Sequence, residues 1–376
     1  MTRPLKARIN LNAFRQNYIQ AKVLQGGQSV AVIKANAYGH GAVACAKAIQ
    51  DIADAFAVAS LTEAKQLRQA GIDNPILLIE GFFDVTELSD IIQYDCWLVI
   101  HSQWQVTALL DSGIKHPFSI WLKVDTGMHR LGFSPEYVLP IYAQLCESQC
   151  VANIVLMTHF ANADHVASAD TTQQIVMFTH MLKALNADHH TEHLAIGGVS
   201  LSNSAAILAW SERLAQLFMQ DQLNVPTWSR PGIMLYGASP IAEQTGQVRL
   251  QPVMQLTSRI IAIQTLNKGE SIGYGSIFTA TQPTRVGVVA CGYADGYPRS
   301  ATHAPVMVAG FKTQVIGRVS MDMLFVDITD IPHVNIDSEV ELWGNHVDVN
   351  VVANIAGTIA YELFCNVKRA EFIYDH

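Results

Sequence analysis

The stretch Ala31-Val-Ile-Lys34-Ala-Asn-Ala-Tyr38-Gly-His-Gly41 delivers one lysine to the end of a short apolar strand, Val30–Ile33, and sets a tyrosine four residues on in a glycine-bracketed turn. An ammonium at the edge of an apolar core loses solvation, which lowers its pKa and frees the amine as a nucleophile. A lysine that forms a Schiff base with a carbonyl compound needs that environment. Taken alone, the same pattern also suits a surface lysine closing a strand. Other polar groups shift the balance. Lys123 and Asp125, then His159, then Arg230 each stand at the C-terminal end of another apolar run. Reactive groups gathered at the C-terminal ends of parallel strands are the arrangement of a (β/α)8 barrel.

The elements that would position them alternate from residue 12 to 240. The predicted strands are Val30–Ile33, Phe56–Ala59, Ile76–Ile79, Trp97–Ile100, Phe118–Val124, Ile154–Thr158, Leu194–Ile196 and Trp228–Arg230. Between them lie amphipathic helices such as Thr62–Ala70, stopped by Gly71, and Pro135–Glu147. Continuous apolar strands indicate a parallel sheet covered on both faces. Past Leu250 the texture becomes two-residue alternation with glycine punctuation, over Val253–Ile263, Arg285–Cys291, Val306–Val308, Gln314–Ile316, Leu324–Ile328 and Val340–Trp343. One helix is expected there, Val351–Phe364. The division is therefore an α/β barrel of TIM type over residues 1–245 and a mostly-β domain over 246–376, with the opening strand Ala7–Leu11 joining the β domain and Asn12 capping the first helix.

With 376 residues, 50% of them hydrophobic and 15% charged, the chain has material for two large cores. A net charge of −8 without any Lys/Arg block argues against nucleic acid. Met1–Leu11 lacks the apolar core of a signal peptide and no apolar run is of bilayer length, so a cytoplasmic, membrane-free protein is expected. The six cysteines form no C-x-x-C pair and read as reduced thiols. His189, His190 and His193 read as a solvated loop, and no metal is expected.

Read in order, the landmarks extend beyond the lysine segment to Leu122-Lys-Val-Asp-Thr-Gly-Met-His-Arg-Leu-Gly132, Thr158-His-Phe-Ala-Asn162, Ser202-Asn-Ser204, Arg230-Pro-Gly-Ile233, Gly273-Tyr-Gly275, Gly292-Tyr-Ala-Asp-Gly296, Gly317-Arg-Val-Ser-Met-Asp322 and Tyr361-Glu362. In this order and spacing the chain resembles, end to end, the bacterial alanine racemases, fold-type III enzymes dependent on pyridoxal 5′-phosphate (PLP). The resemblance implies that Lys34 holds PLP covalently and that the cofactor serves as an electron sink for a Cα carbanion. It assigns the phosphate to Tyr38, Ser204, Gly232, Ile233 and Tyr361, and places Asn203 among the cofactor-binding residues. The residues agree in part, since Ser202-Asn-Ser204 precedes the apolar helix Ala205–Trp210, whose first amides are open donors. An ordinary helix cap and a turn glycine would also explain Ser204 and Gly232.

By the same resemblance Arg230 faces the pyridine nitrogen, where a permanent cation disfavours the protonated ring, and His159 packs beside it; a core histidine is the competing explanation for the latter. Racemisation exchanges a proton across two faces of Cα and calls for two bases. The resemblance names Lys34 for D-alanine and Tyr274, from a neighbouring subunit of a homodimer, for L-alanine. Arg130 and the Met321 amide are assigned to the substrate carboxylate, and Tyr293 and Asp322 to the approach. Lys123 matches a lysine carried as a carbamate by many relatives. Position 320 is Ser where some relatives have Cys, and Val367-Lys-Arg-Ala departs from the family's Arg-Val-Pro ending. Three rival activities fit the residues less well. A broad-specificity racemase would carry a signal peptide. A PLP decarboxylase would pair the ring nitrogen with an acid. A PLP-carrying module without turnover would lack the β domain.

Overall fold

The computed structural model describes residues 3–187, 196–220, 225–241 and 248–375. After an opening strand β1 (Lys6–Asn10), eight parallel strands follow: β2 (Gln28–Val32), β3 (Ala55–Val58), β4 (Ile76–Leu78), β5 (Cys96–Ile100), β6 (Phe118–Lys123), β7 (Val151–Met157), β8 (Ile196–Ser200) and β9 (Trp228–Ser229). Neighbours in sequence pair in order, and β9 returns to β2 through Gln28↔Trp228 and Ser29↔Ser229. A bridge between Val199 and Thr227, with Val199 N donating to Pro226 O at 2.8 Å, joins β8 to the segment entering β9. The sheet thus closes on itself as the expected barrel.

Trp97, Trp121 and Trp228, from β5, β6 and β9, meet with ring centroids 5.5 to 6.2 Å apart. Strands on different sides of the barrel can share such contacts only through its interior. Their bulk fills it below the strand C-termini, and the site above has a solid floor.

The second unit contains β10 (Met254–Leu266), β11 (Ser271–Ile272), β12 (Phe278–Thr279), β13 (Thr284–Val289), β14 (Pro305–Val308), β15 (Phe311–Ile316), β16 (Leu324–Asp327), β17 (Glu339–Trp343) and β18 (Glu371–Asp375). The long β10 pairs with β17 through its first half and β13 through its second, so the chain β10-β13-β16-β15-β14-β17 forms a ring. β1 lies antiparallel beside β10 and parallel beside β18.

Three local expectations are corrected. The first helix, Leu11–Gln25, is capped by Asn10, whose Oδ1 accepts from Ala13 N at 2.8 Å; Asn12 lies inside the helix. β8 is described from Ile196, the last residue of the predicted Leu194–Ile196, and runs on to Ser200; Leu194 and Ala195 fall outside the described residues. Its Gly197 and Gly198 hid it from an apolar pattern. A Cβ at Gly197 would run into Asn153 Oδ1, and one at Gly198 would come within 3.0 Å of the Trp228 ring. The predicted helix Val351–Phe364 is two helices, Val349–Ala356 and Ala360–Asn366, because Gly357 takes the left-handed C-terminal position at φ 75°. The departing tail still ends in a strand, β18. The histidines 189, 190 and 193 lie outside the described residues.

Candidate active site

β2 ends at Val32, and Lys34 opens a turn, Lys34–Tyr38, of unusual backbone. Ala35, Asn36, Ala37 and Tyr38 have φ of 52°, 53°, 54° and 49°. Each non-glycine residue in the left-handed region costs about 1–2 kcal/mol, so four in succession persist only where surroundings hold them. Glu63 accepts from Ala35 N through Oε1 and from Ala59 N through Oε2, both at 2.7 Å. Asn36 Oδ1 accepts from Ala42 N at 2.9 Å. His40 Nδ1 lies 3.1 Å from Ala37 O and 3.0 Å from Tyr38 O; two carbonyls at one ring nitrogen require it to carry the proton. Full burial lowers the His40 pKa to about 4, so the ring is neutral. At Gly39, any Cβ would strike the Phe364 carbonyl of the last helix.

A cavity of about 590 Å³ opens at the C-terminal ends of the barrel strands. It brings together eleven of the residues singled out in the sequence. Tyr38, Asn203, Ser204, Gly232, Ile233 and Tyr361 line one part; Lys34, Lys123, Arg130, His159 and Arg230 line the rest. The Lys34 side chain is 37% exposed, and its Nζ lies 3.8 Å from Glu80 Oε1. Its loss of solvation is therefore partial, less than a strand-end position suggests.

The tyrosine end is a set of neutral donors. Tyr38 stacks on Tyr236 at 4.8 Å and tilts against Tyr361 at 5.7 Å. Ser204 Oγ accepts from Gly232 N at 2.8 Å and Met234 N at 3.3 Å. The helix cap is Asn203 rather than Ser204, its Oδ1 accepting from Ala206 N at 3.0 Å. Burial raises the Tyr361 phenol to about 12 and the Tyr38 phenol further, so both stay protonated donors at neutral pH. A Cβ at Gly232 would come within 2.8 Å of Tyr38 Oη, so a bare glycine is what leaves this corner open. Phenols, a hydroxyl and backbone amides around an open corner suit a phosphate.

The other end is cationic. Arg230 is 3% exposed and held by Ser200 Oγ through Nη1, and by Thr158 O at 2.6 Å and Leu201 O at 3.4 Å through Nη2. Burial lowers it to about 10, still well above neutrality, so the guanidinium remains charged. His159 Nδ1 accepts from Arg230 Nη2 at 3.5 Å, and burial together with Arg230 and Lys123 holds this ring well below its ordinary pKa. His159 is therefore a neutral acceptor. Lys123 is pushed down to about 8 by burial, then by Arg230, Arg130 and Lys34. The residues present thus fit PLP, with the phosphate among the tyrosines and Arg230, a charged donor, available to the ring nitrogen.

Tyr274, Tyr293, Met321 and Asp322 do not line this cavity. Tyr274 follows β11 in the β domain and is 67% exposed, with Met321 and Tyr293 also exposed. Tyr293 N donates to Ser320 O at 3.1 Å and Ala294 N to Met321 O at 3.0 Å, so these two loops are tied together. Asp322 Oδ1 accepts from Arg369 at 2.9 Å. Residues that the sequence reading missed are Glu63, Glu80, His40 and Ser200. Only Glu63 carried a signal: Ser60-x-x-Glu63 is a capping-box pattern, and Ser60 Oγ does accept from Glu63 N at 3.4 Å. The Glu63 carboxylate, however, reaches past Ser60 to Ala59 and Ala35.

Residues 9–240 match the family model described as alanine racemase, N-terminal domain, and residues 253–374 match alanine racemase, C-terminal domain. A catabolic alanine racemase of Pseudomonas putida is 48% identical over 369 residues, 98% of each chain. The crystal structure of a biosynthetic alanine racemase from Pseudomonas aeruginosa has a TM-score of 0.90 at 41% identity, covering 100% of both chains. An alanine racemase from Bartonella henselae with covalently bound pyridoxal phosphate has a TM-score of 0.82 at 27% identity, covering 99% of both.

Proposed function

The chain belongs to the alanine racemase family, and from that premise we propose that it interconverts L- and D-alanine with Lys34 of one subunit and Tyr274 of a second acting on opposite faces of the substrate. It is a PLP-dependent alanine racemase. The observation that carries the residue assignment is the single cavity joining Lys34 to the neutral donor corner and the buried cations.

PLP held there would supply an electron sink for the substrate Cα. Lys34 Nζ, at the cavity wall, gives or takes the Cα proton on one face. Tyr38, Ser204, Gly232 and Ile233 bind the phosphate and fix where the reactive carbon lies. Arg230 offers N–H donors and a fixed positive charge, which keeps a proton off a ring nitrogen facing it. Arg130 supplies the cation for the substrate carboxylate, with Lys123 beside it. The opposite face needs a second base. Tyr274, 67% exposed and outside its own chain's cavity, reaches an active site only if another copy of the chain presents it. Tyr293, Met321 and Asp322 would come with it on the same surface. This makes a homodimer the working form.

Purified protein is expected to be yellow, with borohydride fixing the chromophore on Lys34. Tyr274→Phe is expected to keep the colour and lose racemisation of both enantiomers, as followed by optical rotation. A variant that retains activity, or a wild-type activity proportional to an isolated monomer, would defeat the shared-site reading. Relatives include both biosynthetic and catabolic enzymes. A deletion strain dependent on D-alanine would assign this one to supply; a strain unable to use alanine as nitrogen source would assign it to breakdown.

A further inference from the structure

We infer that Glu63 is a positioning residue for the reactive lysine, its carboxylate holding the left-handed turn that spaces Lys34 and Tyr38 across the cavity. The inference rests on the assignment of Lys34 as the cofactor lysine.

The turn links both ends of the site. Lys34 begins it, and Tyr38, whose hydroxyl approaches Gly232, ends it. The backbone between them is left-handed at every residue, with no glycine until Gly39. Most of its ties are internal: Gly39 N to Ala35 O at 3.0 Å, Gly41 N to Asn36 O at 2.9 Å, and the His40 ring to the carbonyls of Ala37 and Tyr38. Ala37 N also donates to Ile33 O at 2.8 Å, and Ile33 N to Ala57 O at 2.9 Å, so the residue before the turn is tied to β3 while the amide after Lys34 is not. Glu63 comes from a different element, the helix Leu61–Gln69 that follows β3. One oxygen takes the amide directly after Lys34, and the other takes Ala59 N just past β3, so a single carboxylate pins the turn to the neighbouring strand. Both partners are donors, and a group that accepts at both ends is required. Glutamine accepts at one end only and turns an NH2 onto the other N–H. With that tie lost, the strained turn is free to relax, and the covalent anchor and the phosphate anchor no longer match one cofactor.

The test compares Glu63→Gln with the parent enzyme, each stripped of PLP and titrated with it. Because the variant must re-form the strained turn on binding PLP without its clamp, its affinity is expected to fall by about tenfold, the cost of about 1–2 kcal/mol for one left-handed residue. Because the clamp maintains strain, the cofactor-free variant is expected to melt close to the parent. The double variant A35G/E63Q adds a residue that adopts positive φ freely and is expected to regain most of the lost affinity. This rescue is readable even if E63Q alone folds poorly. Parent-like PLP affinity in E63Q, or no recovery on adding A35G, would overturn the inference. Borohydride labelling of the parent at a residue other than Lys34 would overturn the lysine assignment instead, and the clamp with it.

Discussion

Replacing Gly232 by alanine perturbs the phosphate corner with one atom. Gly232 has φ of −121° and ψ of −97° and directly precedes the short helix Ile233–Tyr236. The added Cβ would lie 2.8 Å from Tyr38 Oη, about 0.6 Å inside the 3.4 Å at which ordinary contact begins. Tyr38 cannot swing aside freely, being stacked on Tyr236 and tilted against Tyr361. Its hydroxyl is therefore displaced from the corner, and the methyl also occupies the space that Gly232 leaves for an anion. Loss of one charge-assisted hydrogen bond is worth about 1.5–3 kcal/mol, which weakens PLP binding by about ten- to a hundredfold. The assay is titration of cofactor-free G232A with PLP, read by absorbance, alongside a melting curve of the free protein. The cofactor-free variant is expected to melt somewhat below the parent, since overpacking costs about 1–3 kcal/mol, so affinity is compared at a temperature where both are folded. Binding within twofold of the parent would refute the placement of phosphate among Tyr38, Ser204 and Gly232.

Lys123, at about 8, has roughly a tenth of its amine unprotonated at pH 7, so it is expected to form a carbamate with CO₂ whose occupancy rises as pH climbs through 8. A 13C carbamate resonance absent from K123A would show it; no resonance at pH 9 would exclude it. Buried neutral His40 has its pKa at about 4 against about 6.5 unfolded, so the unfolded chain binds the proton first. Stability present above pH 6.5 is lost as pH falls towards 4, by up to about 3 kcal/mol. Denaturant midpoints should show a shallower pH slope in H40N, and an identical slope would reject the assignment. Arg230→Glu replaces a buried cation by an anion facing Thr158 O and Leu201 O. It is expected to slow racemisation and raise pyruvate release from alanine; unchanged pyruvate release would count against a role for the guanidinium in suppressing transamination.

Much of the site was legible because its chemistry is written in residue types at strand ends. Lysine, histidine and arginine after apolar runs implied a barrel mouth, and Lys34, Lys123, His159 and Arg230 do share one cavity; the other seven residues there were expected only from the resemblance to the family. Helix and strand boundaries were less legible where glycine carried the element. β8 was displaced because Gly197 and Gly198 are required by Asn153 and Trp228, residues remote in sequence. Gly357 split a helix whose apolar pattern runs straight through the break.

The sequence by itself determined the order of elements, the family and the inventory of reactive groups, since these follow from local pattern and residue chemistry. Tertiary structure alone decided that Ala35 through Tyr38 run left-handed, because the energy opposing that conformation is overcome by partners such as Glu63, 28 positions from Ala35. It also decided that Lys123 would be the strongly desolvated lysine, through burial beside three other cations, and that Tyr274 would face outward from its own subunit. Electrostatics and exposure depend on distances in space, and spacing along the chain does not encode them.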